Sequence, residues 1–100
     1  MHARIRFFRD GPPFIAAMAR VETGFLRQLT RMPGFLGTTA LRWHDGRGLG
    51  IVTFKRPDQL EAAIAAAEVW GDRHLADLRS AIEPTELLDA EILFHRGQHL

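Results

Sequence analysis

Apolar residues recur at two different periods along this chain, and the changes of period divide it into elements. From Ala3 to Arg9, Ile5 and Phe7 alternate with Arg4, Arg6 and Phe8, the period of two expected of a strand. Asp10-Gly11-Pro12-Pro13 reads as a turn feeding a helix, because proline is well tolerated at a first helical position. Phe14, Met18, Val21, Phe25 and Leu29 then fall three or four apart, giving one amphipathic helix that Pro33-Gly34 ends near Met32. Phe35 to His44 predicts a second strand, with Thr38, Thr39, Leu41 and Trp43 as good strand formers. The run from His44 to Gly48 contains Asp45-Gly46, a strong hairpin signal, and Leu49 to Lys55 predicts the third strand.

Pro57-Asp58-Gln59 opens a second helix, whose buried stripe is expected at Leu60, Ile64 and Ala67. Gly71-Asp72 is expected to break it, with Asp72 capping a further segment on Leu75, Leu78 and Ile82. Glu83-Pro84-Thr85 reads as a loop. Leu87 to Arg96 reads as the last strand, with Leu88, Ala90, Ile92 and Phe94 on one face and Asp89, Glu91 and His95 on the other; the tail from Gly97 is expected to fray. Strand, helix, strand, strand, helix, strand is the order of an α+β, ferredoxin-like βαββαβ domain spanning residues 1–100. Its four antiparallel strands carry both helices on one face.

The third strand is apolar on both sides, Leu49, Ile51 and Thr53 pointing one way and Gly50, Val52 and Phe54 the other. Helices cover only one face of such a sheet. Leaving Leu49 and Ile51 in water would forgo about 1.5–3 kcal/mol each, so a homodimer through the sheet face is expected.

Composition narrows the function classes. A net charge of +1 gives no field that would gather nucleic acid or an anionic membrane, and neither partner is expected. Cysteine is absent, which excludes disulfides, thiolate metal sites and a cysteine nucleophile. No apolar run is long enough to span a bilayer and the N-terminal residues lack the apolar core of a signal peptide, so the cytoplasm is the expected compartment.

Few residues carry candidate chemistry. Trp70 and His74 are four apart and would share a helix face if the helix continued through Gly71. His74 could then act as a general base beside an indole, or it could simply pack at a helix break. Trp43, flanked by Arg42 and His44, could stack a planar ligand or serve as a core or dimer contact. Arg4, Arg6 and Arg9 read as a solvated or interface-paired strand face, with an anion site as the alternative. His95 and His99 have a metal-like spacing, but no third ligand is near them in sequence and no metal is expected.

Two family resemblances follow from these motifs. Arg47-Gly48-Leu49-Gly50-Ile51-Val52-Thr53-Phe54 resembles the octapeptide of RNA-recognition motifs, yet Leu49 and Ile51 stand where that family stacks bases on aromatic rings. Pro33-Gly34-Phe35-Leu36-Gly37 and the long second helix bearing Trp70-Gly71-Asp72-Arg73-His74-Leu75 look like the antibiotic-biosynthesis monooxygenase family of dimeric α/β barrels. That resemblance covers Ala3 to Arg96. It implies a cofactor-independent oxidation of a small aromatic or quinone-like compound in a helix–sheet cleft, with His74 as acid–base group and Trp70, Trp43 and Arg42 contacting the ligand. Haem is the cofactor that relatives bind. Phe54 stands where the family commonly has tryptophan, and the chain contains neither tyrosine nor asparagine, so chemistry through a phenol or a side-chain asparagine amide is excluded. A dimeric barrel that binds a small ligand without turnover is the rival reading.

Overall fold

Strands and helices follow one another in the order that the apolar periods require. The computed structural model describes residues 1–9, 11–42, 47–94 and 96. Its elements are β1 (His2–Phe8), α1 (Pro12–Gly24), α2 (Leu26–Thr30), β2 (Phe35–Arg42), β3 (Gly48–Phe54), α3 (Pro57–His74), a 3-10 turn at Arg79–Ala81, and β4 (Pro84–Glu91). The sheet order is β2-β3-β1-β4 with every pairing antiparallel, which is the ferredoxin-like arrangement. Trp43, His44, the Asp45-Gly46 turn, His95 and the tail from Gly97 lie outside the described residues.

Register fixes the two faces, because directly opposed residues of antiparallel strands point the same way. Arg6 is opposite Gly50 on one side and Leu87 on the other; Arg4 is opposite Val52 and Asp89. This is the helix side, since Phe54 and Val52 pack with Phe25, Leu29, Leu60 and Ala63 of the helices. Ile5, Ile51 and Leu88 form a row on the opposite side, as do Phe7 and Leu49. The structure corrects the reading of the first strand: Arg4 and Arg6 face the helices, and Ile5 and Phe7 face away. It also amends the expectation for Leu49, which is already buried within the single chain, while Ile51 is half-buried and Leu88 exposed. Part of the cover comes from Arg47, whose guanidinium lies 5.4 Å above the Phe7 ring.

Three boundaries differ from expectation. The first helix is split at Phe25, whose φ of −113° distorts the turn while its backbone stays in the right-handed helical region and its N–H still bonds the Val21 carbonyl at 2.9 Å. The second helix runs through Gly71 to His74 instead of breaking. A lone glycine costs a helix only about 1 kcal/mol, and Gly71 is buried with its carbonyl accepting from Leu75 at 2.8 Å. Asp72 therefore caps nothing and pairs with Arg79, which also reaches Glu68 and folds the 3-10 turn back on α3. Finally, β4 begins at Pro84 and ends at Glu91. It is an edge strand, so proline's missing N–H leaves no ladder bond unmade on its outer side.

One ion cluster joins the layers. Arg4 donates to both oxygens of Asp89, at 2.7 and 3.1 Å, and to Glu61 of α3 at 2.5 Å. The Arg4 guanidinium holds the Asp89 carboxyl below its ordinary 3.8. A depressed folded value stabilises the protein fully above the unfolded value and is lost as pH falls through the folded one. Asp89→Asn is therefore expected to lower the urea midpoint at neutral pH and to flatten its decline on acidification. The check is urea unfolding by circular dichroism at neutral and acid pH.

Candidate functional site

The helix layer meets the sheet firmly at two ends. At one end the fully buried Phe54 is enclosed by Phe25, Leu29, Leu60 and Ala63. At the other, Phe14 of α1 packs on Phe8 with ring centroids 5.3 Å apart, directly over Gly48, where a Cβ would come within 2.6 Å of the Phe14 ring. Between these contacts the sheet presents Ala40 and Gly50, which are too small to reach the helices. The result is a cleft of about 680 Å³, opening to solvent and bordered by Phe8, Phe14, Phe25 and Trp70. Apolar walls with few polar groups are the usual make-up of a small-molecule site. A smaller hollow of about 260 Å³ lies beside Glu61 and Asp89, whose carboxylates are committed to Arg4.

Local chemistry positions Trp70. Its stripe on α3 follows Leu60, Ala63 and Ala67 at helical spacing, so the indole must point at the first helices. Gly24 makes room for it: a Cβ there would sit 2.8 Å from Trp70 Cζ2. Phe25 lies beside the indole at 5.5 Å and the His74 ring packs on it at 4.7 Å. Arg20 of α1 then fastens the end of α3, donating to the His74 carbonyl at 3.0 Å and to Asp77 at 2.7 and 3.0 Å. A guanidinium at a helix C-terminus satisfies a carbonyl that has no helical partner.

Electrostatics distinguish the two arginines of β1. Arg4 is neutralised by two carboxylates and little exposed. Arg6, one pleat along, borders the cleft and makes no hydrogen bond or ion pair among the described residues. Among those residues no polar side-chain atom is sealed off without a partner, so the Arg6 nitrogens open to the cleft. Burial pushes the Arg6 guanidinium down from its ordinary value, and Glu68, whose charge opposes that shift, is already bonded to Arg79 at 3.0 Å.

The sequence-derived candidates separate in space. Trp70 and Arg42 both border the cleft, Arg42 from the end of β2 and exposed. His74 touches Trp70 but is exposed and stands outside the cleft lining. Trp43 lies outside the described residues, as do His95 and His99. Among the described residues no group of three metal-ligating side chains occurs, and no helix is long and apolar enough to cross a membrane. Reading the sequence missed Arg6 as a cleft residue. The available signal was the β4 pattern, in which Asp89 offers one arginine a partner while the neighbouring position on the same face holds Leu87.

No family model matches the sequence, and no curated protein matches it either. Solved structures do share its fold. The chain is similar to a variant of the cofactor-independent oxygenase SnoaB from Streptomyces nogalater, at 21% identity over 97% of both chains with a TM-score of 0.69. It is similar to a variant of MhuD solved with two manganese protoporphyrin IX molecules per active site, at 18% identity over 98% of this chain and all of that one, TM-score 0.69. A dimeric ferredoxin-like protein from an uncultured marine organism superposes with a TM-score of 0.72, at 17% identity over 95% of this chain and 96% of that one. Further matches carry the antibiotic-biosynthesis monooxygenase name, so the resemblance read from the sequence has its counterpart in the fold.

The fit of Trp70 to Gly24 is directly testable. Gly24→Ala drives a methyl group into the indole and is expected to cost about 1–3 kcal/mol of stability. Urea unfolding gives the cost, and a changed near-ultraviolet circular dichroism signal reports the displaced ring.

Proposed function

We propose that the chain is a cofactor-independent monooxygenase that oxidises a small aromatic or quinone-like compound in the helix–sheet cleft. The observation that carries this reading is the cleft itself, about 680 Å³ in volume and walled by Phe8, Phe14, Phe25 and Trp70. Flat rings pack favourably on such walls. The shared fold with a cofactor-independent oxygenase supports the same reaction class.

Oxygenation without a cofactor requires the substrate to supply every electron. A quinol with a free ring carbon, reacting with one dioxygen molecule, gives a hydroxyquinone and one water. Two O–H bonds and one ring C–H bond break; one oxygen atom enters the ring carbon as a hydroxyl with one of the three hydrogens, and the other leaves as water with the remaining two. The protein's part is to hold the ring, exclude bulk water and favour loss of the first proton. Trp70 supplies an aromatic wall and Arg42 a cation at the rim. His74 stands behind the indole, so in this reading it is a positioning residue that holds the plane of Trp70. Among the described residues no imidazole borders the cleft, and His74 would have to leave Trp70 to reach it.

The same reading includes a homodimer through the open sheet face. Ile5, Ile51 and Leu88 form an apolar row there that no helix covers, and a related fold occurs as a dimer.

Two experiments test these proposals. Oxygen uptake is measured with a panel of quinols against the uncatalysed rate. Uptake above that rate is expected for at least one quinol, and Trp70→Ala is expected to lower kcat/KM about ten- to hundredfold. A trace at the uncatalysed rate with every quinol counts against the enzyme. Sedimentation velocity tests the dimer: the wild type is expected at twice the monomer mass and Ile51→Glu at the monomer mass, and a monomeric wild type overturns the interface.

A further inference from the structure

Arg6 is a half-buried cation on the sheet floor of the cleft that takes no protein acceptor among the described residues, whereas Arg42 and Glu22 border the cleft from exposed positions. Arg6 lies on a central strand, hydrogen-bonded on both sides, so its position is set by two ladders. Its cross-strand neighbours on the helix side are Gly50 and Leu87, neither of which offers an acceptor side chain. Gly50 leaves space beside it, with Ala40 next in the same row. Arg4, two residues earlier on the same face, shows what this position does when a carboxylate is supplied: it takes Asp89 in two hydrogen bonds and adds Glu61. Glu68 could have served Arg6 but is held by Arg79. Glu22 also borders the cleft, from the exposed side of α1, and the charges that act on Arg6 are those of Glu68, Arg4 and Asp89. A half-buried guanidinium whose five donors meet no acceptor among the described residues selects an anionic oxygen group.

We propose that Arg6 is a specificity-determining residue of the cleft, and that the ligand is a flat apolar molecule carrying one anionic oxygen group that pairs with it. This assignment rests on the cleft being the ligand site. A carboxylate or an ionised phenol would present the same chemistry. The anion would lie on the sheet floor with the ring against Trp70 and Phe25, so the charge sets the ligand's orientation as well as its class.

A matched pair of fluorescent probes tests this: 1-anilinonaphthalene-8-sulfonate, which carries an anion, and N-phenyl-1-naphthylamine, the same skeleton without it. The wild type is expected to bind the anionic probe at least about tenfold more tightly. Arg6→Met is expected to abolish that preference while leaving the neutral probe's affinity nearly unchanged, and Arg6→Lys to retain part of it. Arg6→Gln serves if the methionine variant does not fold. Arg47→Met, on the opposite face of the sheet, is expected to leave the preference intact. Displacement of the anionic probe by 2-naphthoate at neutral pH marks a carboxylate ligand. Displacement by 2-naphthol that strengthens at alkaline pH marks a phenolate. A preference that survives in Arg6→Met, or that vanishes in Arg47→Met instead, overturns the role of Arg6 and leaves the cleft reading standing. Failure of the wild type to bind either probe overturns the cleft as a ligand site and this assignment with it.

Discussion

The cleft depends on where the helix layer is allowed to touch the sheet. Phe54 at one end and the Phe8–Phe14 contact over Gly48 at the other act as two supports, and between them Gly50 and Ala40 are too short to close the gap. A continuous set of large residues along the same rows would have filled this space, since protein interiors otherwise pack to crystal-like density. The open volume is therefore written in the sizes of a few side chains on the helix side of β2 and β3.

Charge pairing reinforces that division. The Arg4 cluster ties the middle of the sheet to α3 and to edge strand β4, while Arg20 ties the end of α3 to α1. Those carboxylates are spent on the frame. Arg6, on the same face of β1, takes no carboxylate among the described residues and stays a cation on the floor of a largely apolar cleft. The same helices that enclose the cleft leave the other sheet face to Ile5, Ile51 and Leu88, so one covering layer accounts for both the site and the unpartnered surface.

Trp70 illustrates how a local concession serves the site. Gly24 costs α1 some helical propensity and is followed by the distorted turn at Phe25, yet its missing side chain is what admits the indole. His74 follows Trp70 by one turn because α3 does not stop at Gly71, and the two rings consequently stack. A helix broken at Gly71, as the glycine by itself suggests, would have separated them.

The period of apolar residues by itself determined the order of elements, the antiparallel ferredoxin-like sheet and the apolar stripe from Phe14 to Leu29. These are local properties, fixed by repeats of two and of three to four. It put Trp70 and His74 on one helix face only on the condition that the helix ran on through Gly71, where a break was expected. Tertiary structure alone decided which face of β1 meets the helices, because alternation gives two sets of residues without saying which set is covered. That choice turns Arg4 and Arg6 inward, and only the register with β4 decides that Asp89 satisfies one and Leu87 leaves the other open. Cross-strand partners lie far apart in sequence, so the alternation of Leu87 and Asp89 in β4 separates the two arginines only once the register is known.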